Sequence, residues 1–251
     1  MIDAARINAI ANASSIEELW AMHCRNMAEF GFDRLIYGYT RYRTATSLGD
    51  PDDFVLLTNH DPAYTDVFIG EGLFFHAPMV RWALDHDGAC SWSLLAEMIS
   101  TGTLTSQERK VFDFNRSQDV TAGYSISFKS MSPRSKGAIA LTARRGLSQS
   151  AVDAMWQVEG ERILALNNVA HLRILALPYT APSRALTQRQ KEVLGWVGDG
   201  KTIQDIALLM GLTSTTVEKH LRLARQVLSV ETTAQAVLKA AFQNQMFIVE
   251  K

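Results

Sequence analysis

Thr202-Ile203-Gln204-Asp205-Ile206-Ala207-Leu208-Leu209-Met210-Gly211-Leu212-Thr213-Ser214-Thr215-Thr216-Val217-Glu218-Lys219-His220 reads as two short helices joined by a tight turn. In the first, Ile203, Ile206, Ala207 and Met210 recur at helical spacing and form one apolar stripe. Ala207 is small, as a close crossing by a second helix requires. Gly211 ends that helix where only glycine adopts a left-handed turn cheaply. Thr213 then offers a hydroxyl N-cap to the next helix. There Val217, Leu221, Ala224 and Leu228 face inward, while Lys219, Arg222 and Arg225 face outward behind the hydroxyls of Ser214 and Thr215. An exposed helix with hydroxyls at its N-terminus and cations along one side suits the major groove of double-stranded DNA.

The flanks extend this into a helical unit. Thr187 with Gln190 three residues later makes a capping box for a helix that turns Val193, Leu194 and Val197 inward. Gly198-Asp199-Gly200-Lys201 is a turn, after which Thr202 caps the next helix. A fourth helix, Thr232 to Gln243, carries the small apolar residues Ala236, Val237, Ala240 and Ala241.

Leu186 to Leu194, then Gly200-Lys201-Thr202, Ile206-Ala207, Thr216-Val217, His220 and Ala236-Val237, resemble the four-helix DNA-binding domain of LuxR-type regulators. The sequence departs from that pattern at Gln190, where the family usually has glutamate, and Gln can still complete the capping box. The resemblance implies base-edge contacts from Glu218, Lys219 and Arg222, and phosphate contacts from Lys201, Thr202, Thr215, Thr216 and Arg225, with Ser214 beside them. Glu218 is either a specificity residue that accepts from cytosine or a solvated helix position.

Composition bounds the rest. The chain has 251 residues, 47% of them hydrophobic and 20% charged, enough for one large and one small globular domain. Its net charge of −1 hides an asymmetry: from Arg184 onward nine cations face six anions, leaving that segment at +3 and the remainder at −4. Such a balance is sufficient for phosphate attraction when two copies act together. Cys24 and Cys90 have no metal-ligand spacing and make no disulfide framework. No apolar run approaches the ~18 residues that span a bilayer, and the N-terminus lacks a signal-peptide pattern, so a cytoplasmic protein is expected.

The first 177 residues alternate helical and extended patterns, ahead of a two-proline linker over 178–185 and the DNA-binding segment 186–251. Helices are expected at Ile16–Phe30, from Pro62 to Ile69, from Pro78 to His86, at Thr105–Ser117 and at Ser148–Leu177. Strands are expected at Leu35–Tyr42, Phe54–Thr58, Tyr124–Lys129 and Gly137–Ala143, the last two joined as a hairpin by Ser132 to Gly137. The fold class is therefore α+β: an N-terminal α-β-α sandwich on a mostly antiparallel sheet, followed by an all-α helix-turn-helix domain. Tyr64, Phe68, Phe74, Phe75, Met79, Trp82 and Trp92 crowd one stretch; they are either a filled core or the wall of an apolar ligand pocket.

The resemblance bears on that stretch too. Receptors of the LuxR type for acyl-homoserine lactones carry Trp, three residues, Tyr, eight residues, Asp-Pro, and a later Trp, a spacing that here lands on Tyr64, Phe68, Ala77, Pro78 and Trp92, with Gly123 at a later family glycine. It implies ligand positions at His60, Tyr64, Phe68, Ala77, Trp92 and Ala140, to which the apolar stretch adds Met79 and adjacency to Ala77 adds His76. The polar anchors are rewritten at His60, Tyr64, Ala77 and Ala140, so ordinary lactone binding is expected to be weak unless His76 or Asp61 substitutes.

Expected partners are DNA, a second copy of the chain and a small hydrophobic ligand such as an acyl-homoserine lactone or a variant signal, with no membrane and no cofactor. A ligand-independent regulator with its pocket packed shut by aromatics is the alternative. Enzymatic function is not expected: His23 and Cys24 are adjacent and diverge on a helix, and no Gly-rich phosphate loop or HExxH occurs. A phosphorylation-driven receiver is not expected either, since the chain opens with helices and has no N-terminal acidic pair.

Overall fold

A computed structural model of the chain describes residues 4–179 and 184–246. Positions 180–183 of the expected linker and 247–251 of the expected DNA-binding segment lie outside the described residues. The chain divides into two compact units, Met1–Arg173 and Ile174–Lys251.

The first unit opens with α1 (Ala4–Ala11) and α2 (Ile16–Glu29), the latter capped by Ser15. Five antiparallel strands follow in one sheet: β1 (Phe32–Thr40), β2 (Val55–Thr58), β3 (Gly88–Ser91), β4 (Gly123–Phe128) and β5 (Lys136–Ala143), in the order β2-β1-β5-β4-β3. The sheet is wholly antiparallel, and β3 is a strand that apolar patterning did not single out. Between strands lie α3 (Pro62–Thr65), continued as a π-turn through Gly70, then α4 (Pro78–Asp85), α5 (Ser93–Ser100) and α6 (Ser106–Ser117). The long α7 (Gln149–Ala176) closes the series.

Alternation along the strands divides the unit into layers. Leu35 and Tyr37 of β1 and Tyr124 and Phe128 of β4 are buried on the face that receives α7. Trp156 stacks on Tyr124 at 3.8 Å, and His171 stacks on Phe128 at 4.1 Å and pairs with the Tyr37 hydroxyl at 2.8 Å. On the opposite face Tyr64, Phe68, Trp92, Val111 and Val120 form a second buried cluster with Ile36 and Ala140 packed against it. The unit is the expected α-β-α sandwich.

The second unit holds α8 (Gln188–Gly198), α9 (Ile203–Met210), α10 (Ser214–Val227) and α11 (Thr233–Phe242). Each begins on a threonine N-cap: Thr187, Thr202, Thr213 and Thr232. Gln190 does complete the Thr187 capping box, its Oε1 accepting from the Thr187 amide at 2.8 Å. Asp205 does the same for Thr202. Gly211 sits at φ 64°, the left-handed turn expected of it. Val193, Leu194, Ile206, Val217, Ala224, Leu228, Ala236 and Ala240 make one core.

Candidate functional site

The cavity-side face of the sheet is built from small residues. Gly38 of β1 lies opposite Ala138 of β5, Ile36 opposite Ala140, and Ala140 in turn opposite Ser125 of β4. A Cβ on Gly38 would meet nothing within 4 Å. Helices α3 to α6 arch over this floor and leave a cavity of about 1090 Å³. That is at or slightly above the upper end of the roughly 300–1,000 Å³ typical of small-molecule sites. Its walls are mostly apolar, with Phe54, Leu56, Phe74, Leu95 and Ile99 among them.

Seven of the eight residues expected around a ligand line this cavity: Tyr64, Phe68, His76, Ala77, Met79, Trp92 and Ala140. His60 does not. It is buried behind Tyr64, its ring stacked on the tyrosine at 4.5 Å, and its Nε2 lies 3.5 Å from Thr142 Oγ1. Burial, reinforced by the Arg34 charge, pushes the His60 imidazole down to about 4, so it is neutral. Direct contact by His60 is thereby replaced with a supporting role: His60, Tyr64, Phe68 and Phe114 form a stack that stiffens one wall. His76 is exposed at the rim.

Sequence reasoning missed the polar groups of the wall. Trp92 Nε1 donates to Ser125 Oγ at 3.0 Å, and the Tyr64 hydroxyl donates to Asn115 Oδ1 at 2.9 Å. Gly123 has no room for a side chain: an added Cβ would lie 2.2 Å from the Leu141 carbonyl oxygen and 3.0 Å from the Trp92 ring. The Gln149 side chain bonds both the Gly123 amide and its carbonyl, at 2.9 and 3.2 Å. Ser125 and Asn115 carry no short-range signal, since the strand register and the α6 position that bring them to Trp92 and Tyr64 are tertiary.

In the second unit the surface of α10 presents Ser214, Thr215, Glu218, Lys219 and Arg222 to solvent. Lys201 and Thr202 are exposed at the start of α9, where the Thr202 hydroxyl donates to Asp205 at 2.7 Å. Thr216 is half-buried, its hydroxyl 2.9 Å from that of Thr213. Arg225 departs from its expected outward pose: it is half-buried and donates to Thr233 Oγ1 at 2.9 Å, tying α10 to α11. Two further cations are buried at this same C-terminal end of α10. Lys239 Nζ donates to the Leu228 carbonyl at 2.8 Å, and Arg184 donates to the Val227 carbonyl at 3.3 Å and to the Ser229 hydroxyl. They satisfy and neutralise the carbonyl end of the helix dipole, which fixes the helix axis while its N-terminal half stays bare.

Comparison with known proteins places both units. Residues 15–174 match the autoinducer binding domain, and residues 184–240 match the bacterial regulatory proteins of the luxR family. The chain is 24% identical over 228 residues to the transcriptional activator protein AnoR of Acinetobacter nosocomialis, covering 89% of this chain and 90% of that one. It is 22% identical over 182 residues to ExpR of Dickeya dadantii, covering 68% and 70%. Among solved structures it resembles Escherichia coli SdiA, with a TM-score of 0.52 at 16% identity over 97% of each chain. CepR2 of Burkholderia cenocepacia follows with a TM-score of 0.51 at 13% identity, over 68% of this chain and 93% of that one. With an autoinducer-binding domain ahead of its DNA-binding helices, the chain belongs to the LuxR family of transcriptional regulators.

Proposed function

We propose that this regulator is a cytoplasmic homodimer that reads DNA through α10 and is controlled by a small, largely apolar ligand held in the sandwich cavity. The observation that carries the reading is the small-residue floor: Gly38, Ala138 and Ala140 leave room that no neighbouring side chain fills. The aromatics that a closed pocket would need are stacked into the walls. SdiA, which shares this fold, has been solved with octanoyl-rac-glycerol, an acyl-chain ligand of the size the cavity admits. Base contacts are assigned to Glu218, Lys219 and Arg222, and phosphate contacts to Lys201, Ser214, Thr215 and the backbone at Thr202 and Thr216. Arg225 contributes through its hold on α11. The homodimer is supported by α7, which leaves Val158 and Leu172 80% and 66% exposed two heptads apart on one face. Two copies place two α10 helices on a two-fold site, and the linked modules gain avidity.

Mass spectrometry of small molecules extracted from protein purified with and without its native cell extract tests the reading. A molecule retained only from the extract, whose addition changes the gel-shift affinity for promoter DNA, is the expected result. Protein that retains nothing and binds DNA identically in both preparations overturns ligand control.

A further inference from the structure

One buried hydroxyl on the cavity wall has a proton with nowhere to go. Ser125 is 3% exposed, and its Oγ accepts the indole hydrogen of Trp92 at 3.0 Å. Ser127, two residues along the same strand face, commits its own proton to the Ala83 carbonyl at 2.7 Å. Among the described residues no protein group accepts the proton of Ser125, although the side chain lines the cavity. A buried donor without an acceptor is costly, and a ligand oxygen removes that cost.

We propose that Ser125, oriented by Trp92, is the polar anchor of the cavity and donates to a carbonyl oxygen of the ligand, and that the cavity prefers acyl ligands joined through an ester or ketone to their amide isosteres. The proposal rests on the reading of this cavity as a ligand site. The preference follows from what the wall lacks. An amide N–H needs an acceptor, and the lining position where the family resemblance implies a carboxylate for it holds Ala77. The Tyr64 hydroxyl gives its proton to Asn115, which leaves the Asn115 Nδ2 hydrogens as further donors. Of the carboxylates at the lining, Asp153 already accepts from Ser91 at 2.7 Å and from Gln149 at 2.9 Å, and Glu71 is exposed. Among these lining side chains the Ser125 hydroxyl and the Asn115 amide have hydrogens to give, while the carboxylates are engaged or exposed, so a ligand oxygen is favoured over an N–H.

Titration calorimetry on the full chain, with two probes differing at one atom, tests this: α-octanoyloxy-γ-butyrolactone, the ester, and N-octanoyl-homoserine lactone, the amide. The wild type is expected to bind the ester about tenfold more tightly. Ser125→Ala is expected to weaken the ester about tenfold, and Ser125→Thr, which keeps the hydroxyl, to restore it; a merely structural serine would not be rescued in this pattern. Ala77→Asp is expected to raise amide affinity about tenfold and leave the ester unchanged or weaker. An amide bound as tightly as the ester by the wild type, or full ester affinity in folded Ser125→Ala, overturns the anchor and leaves ligand control standing. Binding of neither probe by any variant overturns both. If Ser125→Ala does not fold, the wild-type preference and the Ala77→Asp reversal still decide.

Discussion

At the scale of the residue, the chain does its work with side chains that are small or bare. Gly38→Leu puts four carbons into space where a Cβ meets nothing within 4 Å. We expect stability within about 1 kcal/mol of wild type, because a strand prefers leucine to glycine, and loss of any ligand-induced rise in Tm. A variant that still shows the rise would place the ligand elsewhere. On α10, Arg222→Ala is expected to weaken specific DNA binding by about 1–3 kcal/mol and relax preference at one base per half-site. Lys201→Ala should weaken all sequences alike and flatten the salt dependence. Competition gel shifts at several salt concentrations separate the two, and unchanged specificity in Arg222→Ala would move the base-reading face. Residues with local meaning were legible beforehand: Gly211, Thr213 and Thr187 declare turns and caps within four positions of themselves. Gly38, Ser125 and Asn115 were not, because a small residue in a strand says nothing until its cross-strand neighbours are known.

At the scale of the element, the same contrast appears between the two ends of α10. Its inward residues and its cap follow from periodicity alone, and they are where the spacing put them. The clamp on its carbonyl end comes from Arg184 and Lys239, which lie 43 and 11 residues from their acceptors and have no periodic signature. Lys239, one of the nine cations from Arg184 onward, is therefore buried at the helix end and adds no exposed charge for DNA. Lys239→Met keeps the stem and removes the donor, leaving the Leu228 carbonyl without it. We expect a loss of about 1–2 kcal/mol in the unfolding of the helical unit, read by urea denaturation, against less than about 0.5 for the exposed Lys219→Met. Equal effects would mean that the buried ammonium contributes nothing to α10. In the sandwich, α5 and β3 escaped notice because each is short and only half-buried, so neither shows a clean apolar stripe. Position 225 illustrates the limit of a helical wheel: α11 covers a flank of α10 that the wheel leaves open.

At the scale of the whole molecule, three histidines are built into the sandwich as neutral rings. Burial lowers His23, His60 and His171 to about 4 from an ordinary 6.5; the bond from His23 to Asn167 opposes the shift without cancelling it. Between those values the unfolded chain binds protons that the folded chain refuses, so stability falls as pH drops through 6.5 toward 4. The midpoint of thermal unfolding is expected to be level from pH 8 to 7 and to decline steadily below about 6. A level profile down to pH 4.5 would show that the rings are charged or hydrated in the native state. The strand order has a consequence of another kind, in time. Phe32 pairs with Ala143 and Tyr39 with Gly137, so the inner partner of β1 is synthesised about a hundred residues after β1 itself. Until that stretch is made, the inner edge of β1 has no strand to pair with, and among earlier elements only α2 and β2 can cover it. The helical unit that follows is assembled from neighbours, each helix starting on its own threonine. On the nascent chain the late, short-range unit therefore folds quickly by itself, and any shortage of chaperones falls on the slow, long-range sandwich first.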